Sequence, residues 1–473
     1  MYELLLEFFI KIKDKDLLKK LEKIVGENSV LSNGKEKLRF DHIWKTDIPT
    51  NAFAVIFPKS TKQISEIMKL CYLNNQKVVI QGGLTNLVGS TETKKSDLVI
   101  SLDKMNKIEE IDTKSRTMTV QSGVVLEDAL TAADEKKLML PLNFGAKGSA
   151  QIGGIVSTNA GGLRVLRFGM TRNLILGLEA VLSNGEIISS MKKITKDNSG
   201  YDIKQLFIGS EGTLGIISKV IFKLEEKPTS RFSALVALED YDNVIDLLKF
   251  MQKGLSGSLS GFELIWGETY KTMRDSSPEY SSLLDTNFKY YVIIESLGSD
   301  AKVELERLSD LIYQAMEKNI AEDALLAQND RELKMIWNLR EDVSVLAKKS
   351  KFDQHFDISL PIPVIEKEVN IAIRKLNKLS YVDNIFVFGH LADGNIHFII
   401  GKSENDKEKT KKINEIIYKN LKKNLGSVSA EHGIGRDKKE YLNTSRSKSE
   451  INLMIKLKKT LDPMNILNSG RII

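Results

Sequence analysis

Residues 140–169 read LPLNFGAKGSAQIGGIVSTNAGGLRVLRFG, and this stretch decides the class of fold. Extended to Gly177, it places eight glycines between positions 145 and 177, interleaved with Ser149, Ser157, Thr158 and Asn159. So few side chains pack poorly into a core, so a long bare backbone is expected to lie against a flat cofactor. The donors and close-approach points in that reading are Gly145, Ser149, Gly153, Gly154, Ser157, Thr158, Asn159, Gly161 and Gly162.

Two further loops share the character. Upstream, QGGLTNLVG at 81–89 follows the strand-like KVVIQ. Gly82, Gly83 and Gly89 let backbone approach a ligand, while Thr85 and the N–H groups around Gln81, Leu84 and Asn86 offer donors to an anion, the chemistry of a diphosphate cradle. A tight turn is the alternative for such a pair of glycines taken alone. Downstream, IGSEGTLG at 208–215 brings Glu211, Gly212 and Gly215. A Walker A motif and a Rossmann G-x-G-x-x-G are both absent, which argues against an ATPase and a nicotinamide dehydrogenase of the usual kind.

Working outward, residues 1–46 are rich in Lys, Glu and Leu and read as an N-terminal helical extension. Residues 47–226 alternate strands (AFAVIF, DLVISL, TMTVQSG, TLGIISKVIFKL) with helices expected at 61–75 and 124–137, one α+β domain. After Lys227-Pro228 the pattern becomes a second α+β domain, 227–473, with helices at 240–254, 301–318, 331–349, 363–378, 404–424 and 448–460.

The 473 residues suffice for two or three domains, and the 69 basic and 63 acidic residues are interleaved, which gives little reason to expect nucleic acid. The single cysteine, Cys71, excludes an internal disulfide and any Cys-rich metal site; it reads as a buried small hydrophobe. MYELLLEFFIK carries Glu3 and Glu7 where a signal peptide needs positive charge, so a cytoplasmic protein is expected, with a peripheral place at the membrane left open.

Only five histidines occur, and three of them, His390, His397 and His432, fall within 43 positions. IFVFGHLADGNIHFII at 385–400 reads as a hairpin whose loop is Asp393-Gly394, a pair favoured in type I′ turns. That register sets His390 directly opposite His397, close enough for two imidazoles to share a divalent metal. SAEHGIGRDK at 429–438 follows a strand expected at GSVS and adds the carboxylate of Glu431 and the titratable nitrogen of His432. Two satisfied sheet histidines are the competing account of the pair, and a solvated helix residue that of Arg340 in IWNLREDVSVLA.

The order of QGGLTNLVG, the 140–169 stretch, LGLEAVLSNGEII and KDNSGYDIKQLFIGSEGTLGI resembles the FAD domain of vanillyl-alcohol-oxidase-type (PCMH-type) flavoproteins, most closely the branch of D-2-hydroxyglutarate and D-lactate dehydrogenases. The resemblance runs over roughly residues 40–473. It implies a two-lobed FAD-binding domain, an α+β substrate domain, and a C-terminal segment, LDPMNILNSGRII with Asn468, returning to the flavin. FAD is implied to be non-covalent, because 81–89 holds no His or Cys. G-H-x-x-D-G-x-x-H followed by A-E-H-G implies His390, His397 and Glu431 as ligands of a divalent metal, zinc or manganese, and His432 as the base. W-x-x-R-E implies that Arg340 grips a substrate carboxylate, with Ser344, His355 and Asn395 also facing substrate. The implied reaction oxidises a D-2-hydroxyacid such as 2-hydroxyglutarate, lactate or malate, electrons leaving to a quinone, an electron-transfer flavoprotein or an oxoacid. The hydroxyglutarate enzymes carry lysine and asparagine where this chain has His355 and Ile399. A homodimer is compatible with the sequence. A flavin-free metal hydrolase and a catalytically silent flavin-binding subunit remain as alternatives.

Overall fold

A computed structural model describes residues 15–43 and 49–473. The N-terminal lobe is built on two sheets. In the first, Ala54–Ile56, Leu98–Ser101 and Val78–Gln81 lie parallel, with Val30–Leu31 added antiparallel at the edge. The near-continuous apolar runs of these strands bury both of their faces. The second is a five-stranded antiparallel sheet, ordered Ile108–Asp112, Thr117–Gln121, Ile216–Lys223, Ile175–Val181 and Ile187–Ser190.

The supposed N-terminal extension is corrected in part. Residues 15–25 are helical, but Leu17, Leu21 and Val25 are buried in the same core as Ile56, Ile64 and Ile67, so this segment belongs to the first lobe. Residues 1–14, including the MYELLLEFFIK stretch, lie outside the described residues. The helix Thr61–Asn74 is capped by the Ser60 hydroxyl accepting from the Gln63 N–H. It buries Cys71, whose thiol is pushed up to about 12 by desolvation, consistent with a packing role.

The second domain is one seven-stranded antiparallel sheet, ordered Asp323–Leu326, Ser230–Leu238, Tyr290–Gly298, Leu259–Trp266, Val382–His390, Asn395–Lys402 and Phe352–Ser359. The amphipathic helices Tyr241–Leu255, Ala301–Glu317 and Ile365–Leu376 pack on one face; Asp330–Glu341 covers the other. The expected helix 331–349 is broken, ending at Glu341 and resuming briefly as Ser344–Ala347.

Several links join the domains, among them an ion pair and the C-terminal segment. Arg164, next to the Gly161-Gly162 pair, places Nε 3.2 Å from Oε1 of the buried Glu295, whose Oε2 lies 2.5 Å from Arg231 Nε. The C-terminal segment returns to the first sheet: Leu467 bridges Val78 in parallel, and the Asn468 side chain accepts from Ile80 N–H at 3.0 Å and donates to Glu211 C=O at 2.6 Å.

Candidate active site

Four neighbouring strands of the large sheet carry the polar cluster. Glu263 lies opposite His390; one step along, Phe388 faces His397, and His397 faces Asp357. The expected hairpin register is therefore corrected. The strands end at His390 and begin at Asn395, joined by a 3-10 turn at Leu391–Asp393 and by Gly394 at φ 72°. Leu391 turns into the main core and lengthens the loop. The register differs by two residues from that expected, and a shift of two preserves the face. His390 and His397 still meet, as diagonal neighbours with ring centroids 5.4 Å apart. GSVS forms no strand; Ser427 makes only an isolated bridge to Ser359.

The electrostatics follow from burial. The Glu263 carboxylate, which desolvation would raise, is held below its usual range by His390 and Arg340. Its Oε1 lies 2.6 Å from His390 Nδ1. Its Oε2 accepts from Arg340 Nε at 3.0 Å and lies 2.9 Å from Nη2. Burial lowers the His390 pKa, but Glu263 and Glu431 outweigh it and raise it to about 9. Glu431 is pushed up to about 7 by burial, with the nearby carboxylates of Asp357, Glu263 and Asp393 adding to the rise. Burial drives His397 well below the ordinary histidine range and His432 down to about 4. Both imidazoles are thus neutral near pH 7, the form in which a ring nitrogen can bind a metal or take a proton.

His390, His397 and Glu431 offer ligand atoms that all lie within 4.8 Å of one another, and so do Asp357, His397 and His432. The first set fits a divalent cation. Glu263 on His390 Nδ1 turns Nε2 towards the cluster, 3.8 Å from Glu431 Oε1, and a cation there would compensate the carboxylate whose charged form burial disfavours.

The remaining candidates separate. Arg340 is buried, and its Nε/Nη2 edge is occupied by Glu263, so a bidentate grip on a substrate carboxylate is not free through that edge. Four of its five N–H donors lie on Nη1 and Nη2, and one of the Nη2 pair faces Glu263. Asn395 is buried too and donates to Asp357 Oδ1 at 2.8 Å, acting behind the site. Ser344 is exposed and donates to Asp342 at 2.6 Å, away from the cluster. His355 stands on the site face of its strand, two residues from Asp357, paired at 2.6 Å with Asp353.

The glycine loops converge on one another. A Cβ on Gly83 would lie 1.9 Å from Ser149 C=O, one on Gly153 2.7 Å from Ser122 Cβ, and one on Gly162 2.3 Å from Asn143 C=O. Gly145 and Gly154 have nothing within 4 Å of a Cβ position, so that backbone is open to a ligand. The stretch is less extended than expected, because Ile152–Thr158 forms a short helix, ended by Asn159 in the left-handed region at φ 51°. The Asn86 side chain is engaged in its own turn, accepting from the N–H groups of Val88 and Ser90. Glu211 turns towards the second domain, where its carboxylate accepts from Ile434 N–H at 2.7 Å and Gly435 N–H at 2.8 Å. Among the described residues, buried Gln81 Oε1 and Gln151 Oε1 carry no hydrogen-bond partner, and Gln151 Oε1 lies 3.3 Å from the Cβ position of Gly82. Such orphaned acceptors fit the N–H groups of FAD. Gly161 joins the two halves of the site, since its Cβ position is 2.6 Å from Glu431 Oε1.

Sequence reasoning missed Glu263, Asp357 and Gln151. For the two acids a signal existed: single carboxylates in the apolar runs SGFELIW and FDISLP, where an unpaired charge would be costly.

Residues 227–472 match the model of the FAD linked oxidase C-terminal domain, and residues 52–190 match that of the FAD binding domain. Among curated relatives, D-2-hydroxyglutarate dehydrogenase of Arabidopsis thaliana, named mitochondrial, is 34% identical over 96% of this chain and 80% of its own length. The D-2-hydroxyglutarate–pyruvate transhydrogenase of Saccharomyces cerevisiae is 32% identical over 98% and 95%. A Schizosaccharomyces pombe protein provisionally named a mitochondrial D-lactate dehydrogenase is 36% identical over 97% and 90%. Two solved structures share the fold: alkyldihydroxyacetonephosphate synthase, with TM-score 0.75, 16% identity and coverage of 96% and 85%, and p-cresol methylhydroxylase, with TM-score 0.73, 15% identity and coverage of 97% and 96%. The expected cytoplasmic location is overturned by these comparisons, since relatives from fission yeast, Arabidopsis, zebrafish and cattle are named mitochondrial. Among the described residues no helix is long and apolar enough to cross a membrane.

Proposed function

The chain belongs to the FAD-linked oxidases, with that family's C-terminal domain behind an FAD binding domain, and from this premise we propose that it oxidises a D-2-hydroxyacid to the 2-oxoacid with FAD and a divalent metal, zinc in the first instance. The observation that carries the reading is the cluster of His390, His397 and Glu431 set against Gly161 of the FAD-domain loop. A flavin-free hydrolase would leave the FAD domain without a use, and a silent subunit would leave this cluster without one.

His390, His397 and Glu431 would hold the cation, and the loops 81–89 and 145–162 the cofactor, without a covalent bond because 81–89 offers no His or Cys. When bound, the flavin takes the C2 hydride, and the cation polarises the C2 hydroxyl and lowers its pKa. Arg340 orients the C1 carboxylate through the donors left free by Glu263, an end-on contact that also neutralises the anion. His432, neutral because burial lowers its pKa to about 4, accepts the hydroxyl proton. Asp357, with Oδ2 3.8 Å from His432 Nδ1, stabilises the imidazolium that forms. The apolar Phe388 and Ile399 beside His397 keep water from the reacting carbon. The test is product identity: D-lactate or D-2-hydroxyglutarate should yield pyruvate or 2-oxoglutarate with an artificial acceptor, the L-enantiomers should be inert, and equal turnover of both enantiomers would refute the assignment. The name of the yeast relative, a transhydrogenase with pyruvate, makes a second oxoacid the first natural acceptor to assay.

The other acid of the diacid substrates meets His355 and Asp353 instead of a permanent cation. His355→Lys is expected to raise the 2-hydroxyglutarate-to-lactate ratio of kcat/KM by up to about tenfold, the equivalent of ~1.4 kcal/mol of regained pairing. An unchanged ratio would place residue 355 outside the substrate pocket.

A further inference from the structure

We propose that Asp357 is the positioning residue of the site, the group that fixes where the metal ligands His397 and Glu431 and the base His432 stand; the inference rests on the metal reading above. The carboxylate is fully buried between its strand and the 429–432 turn. Its Oδ2 accepts from three consecutive backbone N–H groups, Ala430 at 3.1 Å, Glu431 at 2.8 Å and His432 at 2.8 Å, and from the Ser429 hydroxyl at 3.2 Å. Successive N–H groups converging on one anion form a nest, which sets the backbone from which the Glu431 and His432 side chains depart. Oδ1 accepts from Asn395 Nδ2 at 2.8 Å and lies 3.8 Å from His397 Nδ1.

One side chain therefore faces a ligand imidazole, the backbone of a ligand carboxylate and both the backbone and ring of the base. Four donors crowd Oδ2, more than its lone pairs accommodate, so that oxygen is not available as a ligand. The group acts through its neighbours, as Glu263 does for His390 on the other side of the cluster. Asn395 gains a role in the same arrangement. The turn is thus held by hydrogen bonds to Oδ2, while the His397 ring faces the anionic Oδ1 across 3.8 Å, an electrostatic bias on its orientation.

The inference is tested on the full chain loaded with FAD and stripped of metal, by titrating Zn2+ in competition with a chromophoric chelator. Asp357→Asn places an amide where the nest requires an anion, and zinc affinity should fall 10–100-fold, the usual effect of losing a group that orients a ligand. Flavin absorbance per chain should stay unchanged. Asn395→Ala should give a smaller loss in the same direction, and it carries the test if Asp357→Asn does not fold. His397→Ala runs in parallel. If His397→Ala abolishes zinc binding while Asp357→Asn, or failing that Asn395→Ala, leaves it at the wild-type value, the positioning role alone is overturned. If His397→Ala retains wild-type affinity, the metal reading falls and takes this inference with it.

Discussion

Replacing His397 with Ala is expected to abolish turnover while leaving the flavin in place. Among the described residues His397 is common to both groups of three ligand-capable side chains, so either arrangement of a cation uses it. Burial keeps its imidazole neutral and ready to coordinate. A Lewis acid contributes several kcal/mol to the transition state, and each 1.36 kcal/mol is a factor of ten, so kcat should drop by about 10³-fold or more. The ring is carried by the second domain and the loops at 81–89 and 145–162 by the first, so absorbance near 450 nm per chain should equal that of wild type. Turnover within about threefold of wild type in His397→Ala would contradict the metal's role. Loss of flavin in the same variant would show that His397 also shapes the cofactor's seat.

Gly83→Ala is expected to have the largest effect on the cofactor. The added methyl would lie 1.9 Å from Ser149 C=O and 2.8 Å from its carbonyl carbon, both backbone atoms that cannot rotate aside. The loops 81–89 and 145–153 must separate to admit it. Overpacking of this kind costs about 1–3 kcal/mol, and here the displaced backbone is the cofactor cradle itself. The variant should purify with little flavin and unfold at lower temperature. Gly145→Ala is the control, because nothing lies within 4 Å of its Cβ position and its flavin content should be kept more fully. Equal and full flavin content in both variants would show that the close approach of these loops is not what shapes the site.

A glycine-rich α+β lobe followed by a second α+β domain could be read from glycine density and apolar periodicity, because both signals are local; FAD itself came from the resemblance in the order of the motifs, and the antiparallel order of the second sheet was not read. The cluster was legible for the same reason in part: Glu431 and His432 are sequence neighbours, and His390 and His397 share a hairpin. The register was not, because it depends on where Leu391 is buried, and a long-range core contact decides that. The N-terminal helix was misjudged as an appendage since only tertiary packing shows Leu17 and Leu21 against Ile64 and Ile67. Glu263 and Asp357 lie 127 and 75 positions from His390 and His432, the side chain and backbone they hold, and no spacing rule connects them. Glu211 was placed with the cofactor by its glycine neighbours, yet its carboxylate holds the turn after His432.

In the proposed reaction one chain joins a hydride-accepting flavin to a metal-assisted hydroxyacid site. The most direct measurement is anaerobic mixing of the yellow, metal-replete protein with single D- and L-2-hydroxyacids while flavin absorbance is followed. The account predicts bleaching by a D-2-hydroxyacid, no bleaching by its L-enantiomer, and loss of the bleaching in His397→Ala despite full flavin content. Flavin that stays oxidised with D-2-hydroxyglutarate, D-lactate and D-malate, or bleaching that survives in His397→Ala at the wild-type rate, would contradict it.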